Sequence, residues 1–292
     1  MDRAALHGMH PATVTPFSPA GEIMEDAFVE IVRALVARGA TGVCIAGDNG
    51  ESWALSAEER GRLVRLAAEA VPGTPISCGC SAPTLAAAMS YARAAAENGA
   101  GALLSMPPTY VMKGSRDEVL RRYAALAEAG LPIIAYNSPR RAGFSLGLED
   151  LEAVLDVAPV IGLKESSRDF FHHSHVLHRF ADRIAVMTGP CHYIVPSLPL
   201  GAAGFIATGP EFLPGGVMET ARSGTEAERR ALHHRLTVVY ETLMSTGTWP
   251  SALKCCLNLL GLPAGVPRDP VSAASPQMEA ELRATLEALE LL

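Results

Sequence analysis

The chain has 292 residues, 49% hydrophobic and 19% charged, with a formal net charge of −7. It can bury a large core, as two ordinary domains or as one large α/β barrel. The acidic balance and the lack of any Lys/Arg block argue against a nucleic-acid partner, and no run of eighteen apolar residues argues for a membrane span.

The opening, residues 1–8, is too short and polar for a signal peptide, so the expectation is a soluble, cytoplasmic protein. The six cysteines (Cys44, Cys78, Cys80, Cys191, Cys255 and Cys256) lack zinc-type spacing and read as reduced, structural thiols.

Short apolar runs recur at residues 10–15, 41–46, 75–80, 100–105, 131–136, 160–164, 184–188 and 203–207, each the length of a buried strand. Helical periodicity separates them: Phe28, Ile31, Val32, Leu35 and Val36; then Leu63, Val64, Leu66 and Ala67; then Val119, Leu120, Tyr123 and Leu126. Ser56-Ala57-Glu58-Glu59 and Ser115-Arg116-Asp117-Glu118 match capping boxes, and Arg38-Gly39, Asn98-Gly99 and Ala129-Gly130 read as helix stops. Eight strand-then-helix units predict a (β/α)₈ TIM barrel. About 85 residues follow the last strand, with amphipathic pattern at 229–242 and 276–291. The expected organisation is a catalytic barrel over residues 1–222 and a helical appendage over 223–292. An open doubly wound sheet would need a glycine-rich turn after its first strand, and Pro16-Phe17-Ser18-Pro19 is not one.

In such a barrel the chemistry gathers at the carboxyl ends of the strands. The apolar run Ile161-Gly162-Leu163 ends abruptly in Lys164. A lone strand-end lysine ordinarily extends its amine into water. A desolvated one has a lowered pKa and is a nucleophile toward ketones, giving a Schiff base. Its company supports the second reading. Tyr136 ends the preceding strand and can move protons at the amine, and the Gly47-Asp48-Asn49-Gly50 turn can offer backbone N–H groups and an amide to a carboxylate.

The motifs Gly47-x-x-Gly50-Glu51, Tyr136-Asn137-x-Pro139-x-Arg141-x-Gly143 and Gly162-x-Lys164-Glu165, in this order, resemble the dihydrodipicolinate synthase / N-acetylneuraminate lyase family of class I aldolases. The resemblance implies a Schiff base on Lys164 with pyruvate or a related 2-oxo acid, with Tyr136 as proton shuttle. It further implies that Tyr110 completes a proton relay across a tight dimer interface, within a homotetramer, and that Arg141 grips a second carboxylate, with Arg140 an added cation beside it. No cofactor or metal is implied. Gly189 and Ile206, at the ends of strands seven and eight, join the expected substrate-binding set with Asn49 and Arg141.

The departures from the family pattern bear on substrate. Most members carry two hydroxyl residues where this chain has Asp48 and Asn49. Asn49 can still donate to a carboxylate. Asp48 would repel one unless protonated or paired with arginine, so it either has a raised pKa or faces Tyr136 and Tyr110 as a base. Three readings stay open: an aldolase or dehydratase of a hydroxylated 2-oxo acid, 4-hydroxy-tetrahydrodipicolinate synthase, and a non-catalytic ligand-binding barrel. His192, near Gly189, is a candidate substrate contact. His172, His175 and His178 are expected on a surface helix rather than around a metal, and Glu51 is expected to tie its turn to neighbouring backbone N–H groups.

Overall fold

A computed structural model describes residues 1–110, 114–209, 211–213 and 215–292. Eight parallel strands run β1 (Gly8–Met9), β2 (Val43–Ile45), β3 (Ile76–Gly79), β4 (Ala102–Ser105), β5 (Ile133–Asn137), β6 (Val160–Glu165), β7 (Ala185–Thr188) and β8 (Gly204–Phe205). Sequential strands pair from β2 to β8, and β8 pairs β1. Helices α1 (Glu25–Ala37), α2 (Ala57–Ala70), α3 (Leu85–Glu97) and α4 (Arg116–Ala127) alternate with the first strands. Then come α5 (Pro139–Ala142), α6 (Leu148–Val157), α7 (Phe170–Phe180) and α8 (Ile194–Ser197), followed by α9 (Val217–Ser223), α10 (Glu226–Ser245), α11 (Trp249–Leu259) and α12 (Pro276–Ala288). This is the expected (β/α)₈ barrel with additional C-terminal helices. Among the described residues no helix is long and apolar enough to cross a membrane.

The expected capping boxes form at Ser56 and Ser115, and the three stop glycines lie at positive φ. The first strand differs from expectation. Its regular part is Gly8–Met9 rather than residues 10–15, because Pro11 has no N–H to donate. The segment beyond still closes the barrel. His10 and Ala12 donate N–H bonds to the Phe205 and Ala207 carbonyls on one side, while across the gap to β2 the Thr13 N–H donates to the Cys44 carbonyl and the Cys44 N–H to the Pro11 carbonyl. Closure brings backbones so near that a Cβ on Gly204 would meet the Gly8 carbonyl oxygen at 1.9 Å.

Alternation along the strands assigns each side chain a face. In β5, Ile133 and Ala135 pack outward against the helices, whereas Ile134 and Tyr136 pack inward with Leu104, Met187 and Ile206. In β6, Leu163 packs outward, so Lys164 turns to the barrel interior and Glu165 outward again. The helices after β8 share a third core with Met9, Val14, Ile31 and Leu35 of the barrel.

A buried ion pair ties those late helices to the turn after β2. Glu51, held at φ +54, places Oε1 2.5 Å from Lys254 Nζ of α11, both side chains almost wholly buried. Its Oε2 accepts the Arg268 backbone N–H at 2.8 Å, so the expected backbone tie is present but reaches a distant segment. Lys254 also donates to the Val266 carbonyl at 2.8 Å. Removing one partner strands a buried charge, a loss of about 3–5 kcal/mol. Lys254→Ala is therefore expected to lower the thermal midpoint by many degrees, and Glu51→Gln/Lys254→Met by clearly less, in paired melting curves.

Candidate active site

The carboxyl ends of the strands surround a cavity of about 100 Å³. Its buried lining includes Ala12, Asn49, Tyr136, Lys164, Ile206 and Thr208, and its exposed rim carries Arg140, Arg141 and Arg168. A larger groove of about 580 Å³, lined by Arg38, Glu211, Leu232 and Leu291 among others, includes none of these strand-end residues.

Lys164 is 5% exposed, and the β5–β6 register sets it opposite Tyr136. Its Nζ lies 4.5 Å from the centroid of the Tyr136 ring. The Tyr136 hydroxyl donates to Asp48 Oδ2 at 3.1 Å, and Arg141 Nε donates to the same oxygen at 3.1 Å. Burial first, and then the neighbouring Asp48 charge, hold the Tyr136 hydroxyl well above its ordinary pKa, so it stays protonated. Of the alternatives for Asp48, the arrangement has it facing Tyr136 and paired with arginine.

Asn49 is oriented by a contact that has no local signal in the sequence. The Trp249 indole N–H, which can only donate, reaches Asn49 Oδ1 at 2.8 Å. The amide NH₂ is thereby turned toward Thr208, whose Oγ1 lies at 3.2 Å. Within the turn, the N–H groups of Gly50, Glu51 and Ser52 bond to Gly47 and Asp48 carbonyls. Among the described residues the Asp48 and Asn49 N–H groups have no such partner, which suits the turn to a carboxylate.

Gly189 and Ile206 both line the cavity. A Cβ on Gly189 would meet Ser166 Oγ at 1.6 Å, so only glycine lets the end of β7 lie against the segment after Lys164. Two other expected residues stand elsewhere. His192 is outside the lining; its ring packs 4.9 Å from that of Tyr240, which does line the cavity, and burial lowers its pKa to about 4. Tyr110 is 88% exposed at φ +73 and does not reach the cavity within this chain. On α7, His175 and His178 face solvent as a surface helix requires, but His172 is only partly exposed.

His172 turns inward because Glu165 sits behind Lys164 on the outer face of β6. The Glu165 carboxylate accepts Asn137 Nδ2 at 2.8 Å and the Ser167 N–H at 2.6 Å, and His172 Nε2 lies 3.5 Å away. Burial pushes the Glu165 pKa up, but these contacts outweigh it and hold the carboxyl below its usual value. The same contact raises the His172 pKa. His173, on the next position of the helix, is fully buried and meets Ser197 Oγ at 2.9 Å, which the surface-helix expectation did not foresee.

Sequence reasoning also missed Thr208, Trp249, Tyr240, Met244 and Arg168 as lining residues. No motif or periodicity marks them, since each reaches the cavity from a loop or from the late helices.

A family model described as the dihydrodipicolinate synthetase family matches residues 5–289. A 4-hydroxy-tetrahydrodipicolinate synthase of Methanothrix thermoacetophila is 30% identical over 96% of this chain and 96% of its own length. One from Symbiobacterium thermophilum is 32% identical over 94% of this chain and 95% of its own length. Among solved structures, DHDPS from Cyanidioschyzon merolae with lysine bound aligns at a TM-score of 0.91 and 26% identity, covering 99% of each chain.

The Glu165–His172 contact predicts a pH signature. The His172 pKa is raised in the folded state, so its stabilising share is complete below the unfolded value of 6.5 and is lost as pH rises through the folded value. Glu165 is depressed, so its share is present above 4.5 and is lost as pH falls through its folded value. Urea unfolding of the wild type and His172→Gln should therefore differ more at pH 6 than at pH 8.5. An equal gap at both would contradict the assignment.

Proposed function

From its place in the dihydrodipicolinate synthetase family, to which this chain belongs as a lyase of the class I aldolase type, we propose that Lys164 forms a Schiff base with pyruvate or a related 2-oxo acid. The observation that carries this reading is the buried Lys164 side chain beside a tyrosine whose hydroxyl is bonded to a carboxylate.

The oxo acid's carboxylate docks on the Asn49 amide, the Thr208 hydroxyl and the free N–H groups of the turn. Its C2 carbonyl then faces Nζ. Attack by the amine forms the C–N bond, and Tyr136 passes the proton leaving nitrogen to the carbonyl oxygen. A second transfer releases that oxygen as water, so ammonium plus ketone becomes protonated imine plus water. Asp48 serves as the proton acceptor for Tyr136 during these transfers, with Arg141 offsetting its charge. The protonated imine is an electron sink. It permits making or breaking the bond beyond C3, or loss of a hydroxyl there.

A carboxylate at position 48 can also accept a hydrogen bond from a substrate hydroxyl, which favours a hydroxylated 2-oxo acid undergoing aldol cleavage, condensation or dehydration. Condensation of pyruvate with aspartate semialdehyde is the second reading, favoured by the activity named for the relatives at 30% and 32% identity. The protein works in the cytoplasm as a homotetramer of tight dimers, in which Tyr110 crosses to the partner's relay. Its high exposure in a single chain supports this.

Borohydride added with pyruvate should reduce the imine and increase the mass of the peptide carrying Lys164, while Lys164→Ala gives no adduct. Trapping at another lysine, or none with any 2-oxo acid, would end the reading. Asp48→Asn should lower kcat by about 10²-fold or more while leaving trapping intact. NMR of the protein with pyruvate and aspartate semialdehyde, and with hydroxylated 2-oxo acids, separates the two substrate readings.

A further inference from the structure

The cavity rim holds more positive charge than the chain itself neutralises. Arg141 is paired with Asp48. Arg140 and Arg168 are not paired: among the described residues no carboxylate lies within 4.0 Å of either guanidinium. Asp169, next to Arg168 in the chain, spends its carboxylate capping α7 through the Phe171 and His172 N–H groups.

Both arginines are nonetheless held in place, and by neutral groups from α10. Arg168 Nε donates to the Tyr240 hydroxyl at 3.0 Å, and its Nη2 lies 2.9 Å from Met244 Sδ. Arg140 Nη1 approaches the same sulfur at 3.8 Å. Two guanidinium groups therefore converge on one weak acceptor, closer to each other than the sum of those two distances. Among the described residues no carboxylate within 4.0 Å offsets their mutual repulsion. Arg168 moreover occupies φ +61, a backbone conformation that side-chain-bearing residues rarely adopt and that clusters at ligand sites.

We propose that Arg140 and Arg168 form a subsite for a second anionic group at the far end of the substrate. The ligand class is a short 2-oxo acid ending in a carboxylate or a phosphate. The assignment rests on the Schiff-base reading of Lys164, which fixes the near end of the substrate. It also divides labour among the three rim arginines: Arg141 offsets Asp48, and the distal grip falls to its neighbours. A planar guanidinium pair offers parallel N–H donors suited to either oxyanion. Tyr240 is a positioning residue, acting through Arg168.

The test uses the full chain carrying Lys164→Ala, where covalent chemistry cannot contribute, and measures binding by calorimetry. Three probes share a 2-oxo acid head: 2-oxoglutarate, 2-oxopentanoate and 4-phosphono-2-oxobutanoate. The anionic probes should bind at least about tenfold more tightly than 2-oxopentanoate. Arg140→Leu or Arg168→Leu should each cut that preference by about threefold or more, and the double variant should erase it. Whichever anionic probe binds more tightly identifies the terminal group. A preference below about twofold, or one that survives in the double variant, would overturn the subsite. Borohydride trapping with pyruvate is run on Arg140→Leu/Arg168→Leu with Lys164 intact. Loss of the adduct in the wild type and this variant alike would count against the Schiff-base reading alone.

Discussion

The arrangement of this site depends on Asp48 sharing one oxygen between the Tyr136 hydroxyl and the Arg141 guanidinium. A carboxylate in a cavity meant for an anionic oxo acid would repel its own substrate. Arginine beside it turns that liability into a dipolar pair, and the tyrosine hydroxyl donates to the same oxygen. Burial keeps the phenol protonated, so the hydroxyl remains a donor at neutral pH. A hydroxyl residue at position 48 would give the same tyrosine a neutral partner, with a weaker pull on its proton.

The late helices belong to the site as much as the barrel does. Trp249 orients Asn49, Tyr240 and Met244 hold Arg168, and Lys254 with the Arg268 backbone anchors Glu51 at the end of the turn that presents Asp48 and Asn49. A buried charge pair makes sense at this last position because it is directional. Hydrophobic packing alone would leave the turn free to shift, and its unbonded Asp48 and Asn49 N–H groups with it. His192 fits the same scheme, packing behind Tyr240 rather than touching the cavity.

Charge is graded from the cavity floor to its rim. The floor holds one buried amine, and the rim three arginines, one paired with Asp48 and two held by a phenol and a thioether. For the proposed substrate with an anionic far end, this gradient favours an orientation as well as an affinity.

The sequence by itself determined the barrel and the place of Lys164 at the end of its sixth strand. Apolar runs gave the eight strands, Ser56 and Ser115 gave helix starts, and strand alternation was enough to set Tyr136 and Lys164 side by side, because these features depend on neighbours a few residues apart. Pro11 displaced the first strand by removing a donor, a local effect that could have been read in advance. Tertiary structure alone decided what neutralises Asp48, which way the Asn49 amide points, that His172 turns to Glu165, and that Arg140 meets Arg168 at one sulfur. Those outcomes rest on contacts between segments far apart in the chain, where the reach and angle of a single side chain matter and sequence periodicity carries no information.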